Sequence, residues 1–215
     1  MKNVLKRLLP FLLPYIIVMA IIGWLLLSTE KTPFHRVINQ FNAPFSDEFF
    51  KLYTHAGDFV FSVVIILLLA FIQLRYAIML AIATVSSSLF AQFLKRLVFP
   101  DADRPIKHLY DFPGDFHFVD GIRLMWNHSF PSGHTVSAFA ACLCLAFIVR
   151  KMGWQWLCLF AALLVSYSRI YLSQHYLEDV YFGSLIGVSF GLLAVFIMQK
   201  WNKPWMDKPL HRLKS

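Results

Sequence analysis

Within one stretch of the chain, Ser168-Arg169-Ile170-Tyr171-Leu172-Ser173-Gln174-His175-Tyr176-Leu177-Glu178-Asp179, an arginine, a histidine and a carboxylate stand between two apolar runs. Upstream, Pro131-Ser132-Gly133-His134 opens another apolar run, and Lys95, Arg96, Arg104 and Pro105 follow the end of a third. Ionisable groups are costly next to lipid and mark function by default. Basic or histidine-bearing clusters at three such borders suggest one site for an anion. His175 and Asp179 are four residues apart, so a helix beginning near His175 would let them touch. The carboxylate would then accept a hydrogen bond from one ring nitrogen, fix the tautomer and leave the other nitrogen free as a nucleophile.

Ser132 and Gly133 precede His134 at the expected start of a helix. The unpaired N–H groups and positive dipole end found there are a natural seat for a phosphate oxygen, and Gly133 lets backbone approach a ligand closely. Arg104, Arg169 and Lys95 would neutralise charge that develops on such a group, with arginine matched to phosphate by paired hydrogen bonds. Each residue also has a plainer reading. An arginine at a helix end can snorkel to head groups, and a histidine near a membrane border can be an ordinary surface residue. Taken together, the spacings favour the catalytic reading.

These residues need a scaffold, and composition says which kind. With 58% hydrophobic and 17% aromatic residues, the chain is more apolar than soluble domains, which run at roughly 45–50%. It reads as an all-α polytopic membrane protein forming a single domain over residues 1–215, without linker or repeat. Crossing a bilayer takes about 20 apolar residues, and six segments qualify as spans: Leu8 to Leu27, Asp58 to Leu74, Tyr76 to Leu94, Ser132 to Val149, Trp154 to Leu172, and Val180 to Gln199. All are expected to be helices in one bundle, because backbone in lipid must satisfy itself. The first reads as a retained anchor with Pro10 and Pro14 near its beginning, where proline costs least.

If six spans alternate, Lys2, Lys6, Arg7, Arg75, Arg150, Lys151 and the basic C-terminal tail fall on one side, expected to be the cytoplasm. The motif clusters then face outward and both termini inward, in the inner (plasma) membrane. The net charge of +8 is divided between span flanks and motif clusters, which fits anionic head groups better than nucleic acid. Cys142, Cys144 and Cys158 lie inside spans and read as packing residues. The loop from Ile106 to Phe130 holds His108, Asp111, Asp115, His117, Asp120 and His128, but in no spacing typical of a metal site; its Phe112, Phe116, Phe118 and Trp126 look like an interfacial cap. Phe45 to Tyr53 reads either as an amphipathic helix on the outer surface or as a short helix packed on the bundle.

The combination of Arg104-Pro105, Pro131-Ser132-Gly133-His134 and Ser168-Arg169-x5-His175-x3-Asp179 resembles the type 2 phosphatidic-acid phosphatase family. The motif resemblance runs from about Lys95 to Asp179. It implies a metal-independent lipid phosphatase with no cofactor, in which His175 is the nucleophile that becomes phosphorylated and His134 protonates the leaving oxygen. Lys95, Arg104, Ser132, Gly133 and Arg169 would bind the phosphoryl group. The family's first motif has a lysine seven positions before the arginine, where this chain has Leu97. Lys95 and Arg96 are the available replacements, with two extra residues expected in Pro100-Asp101-Ala102-Asp103, which has turn chemistry. The implied partner is a membrane lipid: outward placement favours undecaprenyl diphosphate, with phosphatidic acid, phosphatidylglycerol phosphate and lipid A phosphate as rivals. A lipid phosphotransferase is the alternative enzyme, and an anion transporter the alternative of another class.

Overall fold

In the computed structural model, which describes residues 2–109, 116–201 and 203–212, every regular element is helical. The chain runs through α1 (Lys2–Ser28), α2 (Lys31–Asn39), α3 (Pro44–Tyr53) and a 3₁₀ turn (Thr54–Gly57) into the hairpin α4 (Phe59–Ile72) and α5 (Leu74–Phe93). A π turn (Leu94–Val98) and the short α6 (Pro105–Leu109) lead to α7 (Gly133–Val149), α8 (Met152–Tyr171) and α9 (Leu177–Lys200). The six expected spans coincide in position with α1, α4, α5, α7, α8 and α9. Among the described residues, three helices are long and apolar enough to cross a membrane unaided: α1, α5 with its π turn, and α9. A fourth is reached by joining α3 and its 3₁₀ turn to α4 across a 58° bend, while α7 is apolar but shorter. Leu9, Leu13, Ile16 and Ile17 on α1 are more than half exposed, an apolar surface suited to lipid and not to water.

One expectation about α1 fails. The helix begins at Lys2, so Pro10 and Pro14 lie inside it and not in its first turn. The polar Lys2, Asn3, Lys6 and Arg7 extend the helix beyond the apolar run that the sequence count began with. The opposite face of α1 buries Leu8, Phe11, Tyr15 and Met19 against the bundle.

At the centre is α7, packed chiefly against α9, α8 and α5. Its contact with α9 depends on Gly183, Gly187 and Gly191, one per turn along one face. A methyl group at Gly187 would lie 2.6 Å from the Val136 carbonyl oxygen and 2.8 Å from Phe139 Cβ. Small residues at this spacing are what let two helix backbones come close. The contact sets the first turn of α7 beside the first turn of α9. The Ser132 N–H completes the clasp by donating to the Asp179 carbonyl at 3.0 Å. At the other end, Arg7 donates to the Phe147 carbonyl, and Arg75 pairs with Asp207 at 2.6 Å while donating to the Met198 and Trp201 carbonyls. Basic flanks thus gather at one end of the bundle and the motif residues at the other.

Two shorter pieces brace the motif end. Buried His35 of α2 contacts Ser173 Oγ at 3.0 Å, next to a Ser173 backbone with φ of 51°, a conformation rare for a non-glycine residue. Helix α3 packs one face on α8 through Phe50 against Tyr167 and Tyr171, with Tyr171 donating to Asp47. Its other face leaves Phe45 and Leu52 largely exposed, so it is both packed on the bundle and amphipathic.

Candidate active site

A cavity of about 550 Å³ opens at the motif end, lined by Lys95, Arg104, Gly133, His134, Arg169 and His175 together with Gln92, Arg96, Met125, His128 and Gln174. Six of the eight residues singled out from sequence therefore share one wall. Asp179 lies directly behind His175. Ser132 is the exception: fully buried, with its N–H bonded to Asp179 and its hydroxyl accepting from Thr135, it holds the segment together and does not reach the cavity.

The turn between α8 and α9 presents His175. Its own N–H and that of Gln174 both donate to the Arg169 carbonyl, which folds the turn back on the end of α8. His175 Nδ1 faces Asp179 Oδ2 at 3.2 Å, both side chains about 2% exposed. The same carboxylate oxygen accepts from Ser129 Oγ at 2.5 Å and from the Tyr176 N–H at 3.0 Å, the latter capping the start of α9. With Nδ1 engaged, Nε2 is the free ring nitrogen. Burial, reinforced by Lys95, Arg104 and Arg169, holds the His175 pKa well below the usual histidine value. The same surroundings favour the neutral form of the ring.

The three cations are held by neutral acceptors. Lys95 Nζ donates to the His128 and Ser129 carbonyls at 2.9 and 3.1 Å. Arg104 donates to the Asn127 carbonyl and to both the backbone and side-chain oxygens of Gln174, and burial lowers its pKa. Arg169 donates to Thr54 Oγ1 at 2.7 Å and Gln174 Oε1 at 3.4 Å, while its buried Nε has no partner. None of the three is in an ion pair among the described residues. Asp179 and Asp58 offset these charges only at a distance, and buried positive charge without a contacting counter-charge is costly, so the arrangement suits an anionic ligand.

The π turn separates the two basic candidates, Lys95 and Arg96, by burial. Its Phe99 N–H bonds back five residues to the Leu94 carbonyl at 2.8 Å, an i→i+5 widening of the kind found at functional sites. Lys95 is thereby turned inward and buried, Arg96 stays exposed at the rim, and Leu97 is 73% exposed. The extra length was expected in the turn at Pro100 to Asp103. That turn is present, yet the register change begins earlier, in the helix itself.

Four participants escaped the sequence reading: Asp58, Ser129, Gln174 and Thr54. His134 Nε2 meets Asp58 Oδ1 at 2.7 Å, and His55 Nδ1 meets Asp58 Oδ2 at 2.7 Å. Gln174 carried a usable signal, since it adjoins His175 within the motif; its oxygen bridges the two guanidinium groups. Beyond His134, Arg169 and Gln174 lies a second cavity of about 320 Å³, walled by Lys51, His55 and Arg123 among others. The loop residues are otherwise engaged: His117 meets Asp47 at 2.9 Å and His108 meets Asp103 at 3.6 Å. Among the described residues no cluster of three His, Cys, Asp or Glu side chains has the form of a metal site; Asp111, Phe112 and Asp115 lie outside the described residues. The three cysteines are free thiols, and Glu178 sits at the rim, paired with Lys31.

A sequence profile of the PAP2 superfamily matches residues 73–203. The lipid A 4'-phosphatase of Bacteroides thetaiotaomicron is 30% identical over 188 residues, covering 81% of this chain and 79% of that protein. The undecaprenyl-diphosphatase BcrC of Bacillus subtilis is 37% identical over 79 residues, which are 37% of this chain and only 39% of that protein. Among solved structures, Aquifex aeolicus LpxE matches with a TM-score of 0.68 at 25% identity, over 77% of this chain and 94% of that one.

Proposed function

The chain belongs to the PAP2 superfamily, and from that premise we propose that it is an integral membrane lipid phosphatase acting through a phosphohistidine. The observation that carries the proposal is the buried His175, paired with Asp179 and sharing one cavity with Lys95, Arg104 and Arg169, none of which is in contact with a carboxylate among the described residues. In the first half-reaction Nε2 of His175 attacks phosphorus, and Asp179 holds the tautomer and steadies the positive ring that forms. Lys95, Arg104 and Arg169, with the N–H groups opening α7 at Gly133, stabilise the charge spreading over the equatorial oxygens. His134 gives a proton to the leaving oxygen and afterwards takes one from the water that cleaves the phosphohistidine. None of these steps calls on a metal ion.

The substrate is a lipid phosphate or diphosphate, with undecaprenyl diphosphate, phosphatidic acid, phosphatidylglycerol phosphate and lipid A phosphate as the candidates. The second cavity favours a diphosphate. A leaving group departs on the His134 side, and there Lys51, His55 and Arg123 suit a second phosphate better than an uncharged lipid alcohol. All six spans are taken to cross the inner membrane, with both termini cytoplasmic and the site outward. This is supported by the basic flanks gathered at the end of the bundle away from the cavity.

The test is phosphate release by purified protein from matched lipid mono- and diphosphates, with and without a strong chelator and with candidate alcohol acceptors. Release from the diphosphate, unaffected by chelator and with water as the acceptor, is the expected result. Phosphoryl transfer to an added alcohol would identify a phosphotransferase, and no turnover of any lipid phosphate would return attention to anion transport. For sidedness, cysteines placed at Asp120 and Lys208 in a cysteine-free background should label from outside and inside respectively.

A further inference from the structure

We propose that Asp58, clamped by His55, is a positioning residue for His134, so that the site runs on two histidine–carboxylate pairs. The inference rests on the reading of His134 as the acid and base of the two half-reactions. Asp58 stands at the junction of the 3₁₀ turn and α4, far from His134 in sequence. It is brought there by Gly57, where a Cβ would lie 2.8 Å from His134 Cβ and 2.7 Å from Val165 Cγ1. No larger residue fits between these segments without displacing one of them. The Asp58 carboxylate is then fixed from both sides, with one oxygen 2.7 Å from His134 Nε2 and the other 2.7 Å from His55 Nδ1. Its side chain is 35% exposed and that of His55 67%. Arg169 of α8, tied to Thr54 in the same 3₁₀ turn, also bears on His134, and Lys95, Arg104 and His175 face the same cavity.

A carboxylate on Nε2 makes that nitrogen the N–H donor and leaves Nδ1 to exchange the catalytic proton. In the first half-reaction His134 begins as the imidazolium. As the phosphorus–oxygen bond breaks, its electron pair goes to the leaving oxygen, which takes the proton from Nδ1. In the second, water bonds to phosphorus and passes a proton to Nδ1, while the electron pair of the breaking phosphorus–nitrogen bond returns to His175. Asp58 keeps its charge throughout: it sets the tautomer and stabilises the imidazolium, and it does not carry the proton. Without it, Arg169 opposes charging His134 and nothing selects the productive ring nitrogen.

The experiment compares Asp58→Asn, Asp58→Ala and His134→Ala with wild type on two substrates: phosphatidic acid in detergent micelles, and p-nitrophenyl phosphate, whose aryl oxide leaves without needing a proton. For Asp58→Asn, kcat on phosphatidic acid should fall about 10²-fold, the low end for general acid–base catalysis because the pair is partly exposed, with KM unchanged. With p-nitrophenyl phosphate the pre-steady-state burst should survive at the wild-type rate and only the later hydrolysis should slow. An intact burst also demonstrates a folded site. Equal losses on both substrates and in both phases, or no loss at all, would overturn the proposal. If His134→Ala lacks the substrate-dependent pattern, the acid–base reading of His134 falls too. If His134→Ala has the pattern and the Asp58 variants lack it, only the role of Asp58 falls.

Discussion

His175 with Asp179 and His134 with Asp58 are both imidazole–carboxylate contacts, 3.2 and 2.7 Å long, in very different surroundings. In the first pair both side chains are about 2% exposed; in the second they are 28% and 35% exposed. The buried carboxylate has further hydrogen bonds from Ser129 and the Tyr176 N–H, whereas Asp58 shares its charge with a solvent-facing histidine. Charge–charge interactions strengthen as water is excluded, so the same exchange of carboxylate for amide should cost more in the interior. The difference suits a division of labour. A nucleophile must stay neutral and fixed, while a group that gains and loses a proton each cycle benefits from access to water.

The largest effect should come from His175, the proposed nucleophile. His175→Ala is expected to remove turnover below detection while the protein still elutes as a folded species. A phosphoenzyme trapped by acid quench in wild type should be missing from this variant; robust hydrolysis by it would erase the contrast between the two pairs. Next, Asp179→Asn should lower kcat by about 10³-fold, more than Asp58→Asn, and should slow phosphoenzyme formation as well as its hydrolysis. Equal losses at the two carboxylates would mean that burial does not set their importance.

A smaller effect is expected where the two pairs are held in register. Gly187→Leu forces α7 and α9 apart and should destabilise by about 1–3 kcal/mol, read as a lower thermal midpoint in detergent, with a drop in kcat because the first turns of both helices shift. An unchanged midpoint would show that the glycine contact is dispensable. The smallest effect concerns pH. The folded His175 pKa lies below the unfolded one, so the unfolded chain binds the extra proton. The stability linked to this group is present above the ordinary histidine value of about 6.5 and is lost as pH falls below it. Between pH 7.5 and 5.5 the thermal midpoint of wild type should fall further than that of His175→Gln; parallel curves would refute the depressed value.

The class and much of the site were legible in the chain because their signals are local. Long apolar runs marked all six long helices to within a few residues at most ends. The i, i+4 spacing of His175 and Asp179 foretold their contact, since one turn of helix at the start of α9 is enough to make it. The spacing of Gly183, Gly187 and Gly191 was not legible in this way: small residues one turn apart allow a close helix approach, but only the packed structure shows that the partner is α7. Pro10 and Pro14 misled because hydropathy reports where a helix enters lipid and not where its backbone begins to coil.

By itself, the sequence determined the all-helical apolar class, the order of the three motif clusters and the local pair at His175. Only the tertiary structure decided which basic residue near Arg104 is buried at the cavity, because a single widened turn rotates every following side chain and apolar periodicity does not encode it. Tertiary structure likewise selected Asp58 as the partner of His134, Ser129 as a second donor to Asp179, and Gln174 as the neutral bridge between Arg104 and Arg169. Helical periodicity is set by backbone hydrogen bonds that span a few residues, so it can be read along the chain. Contacts between segments are set by close packing of whole helices, which no short stretch of sequence contains.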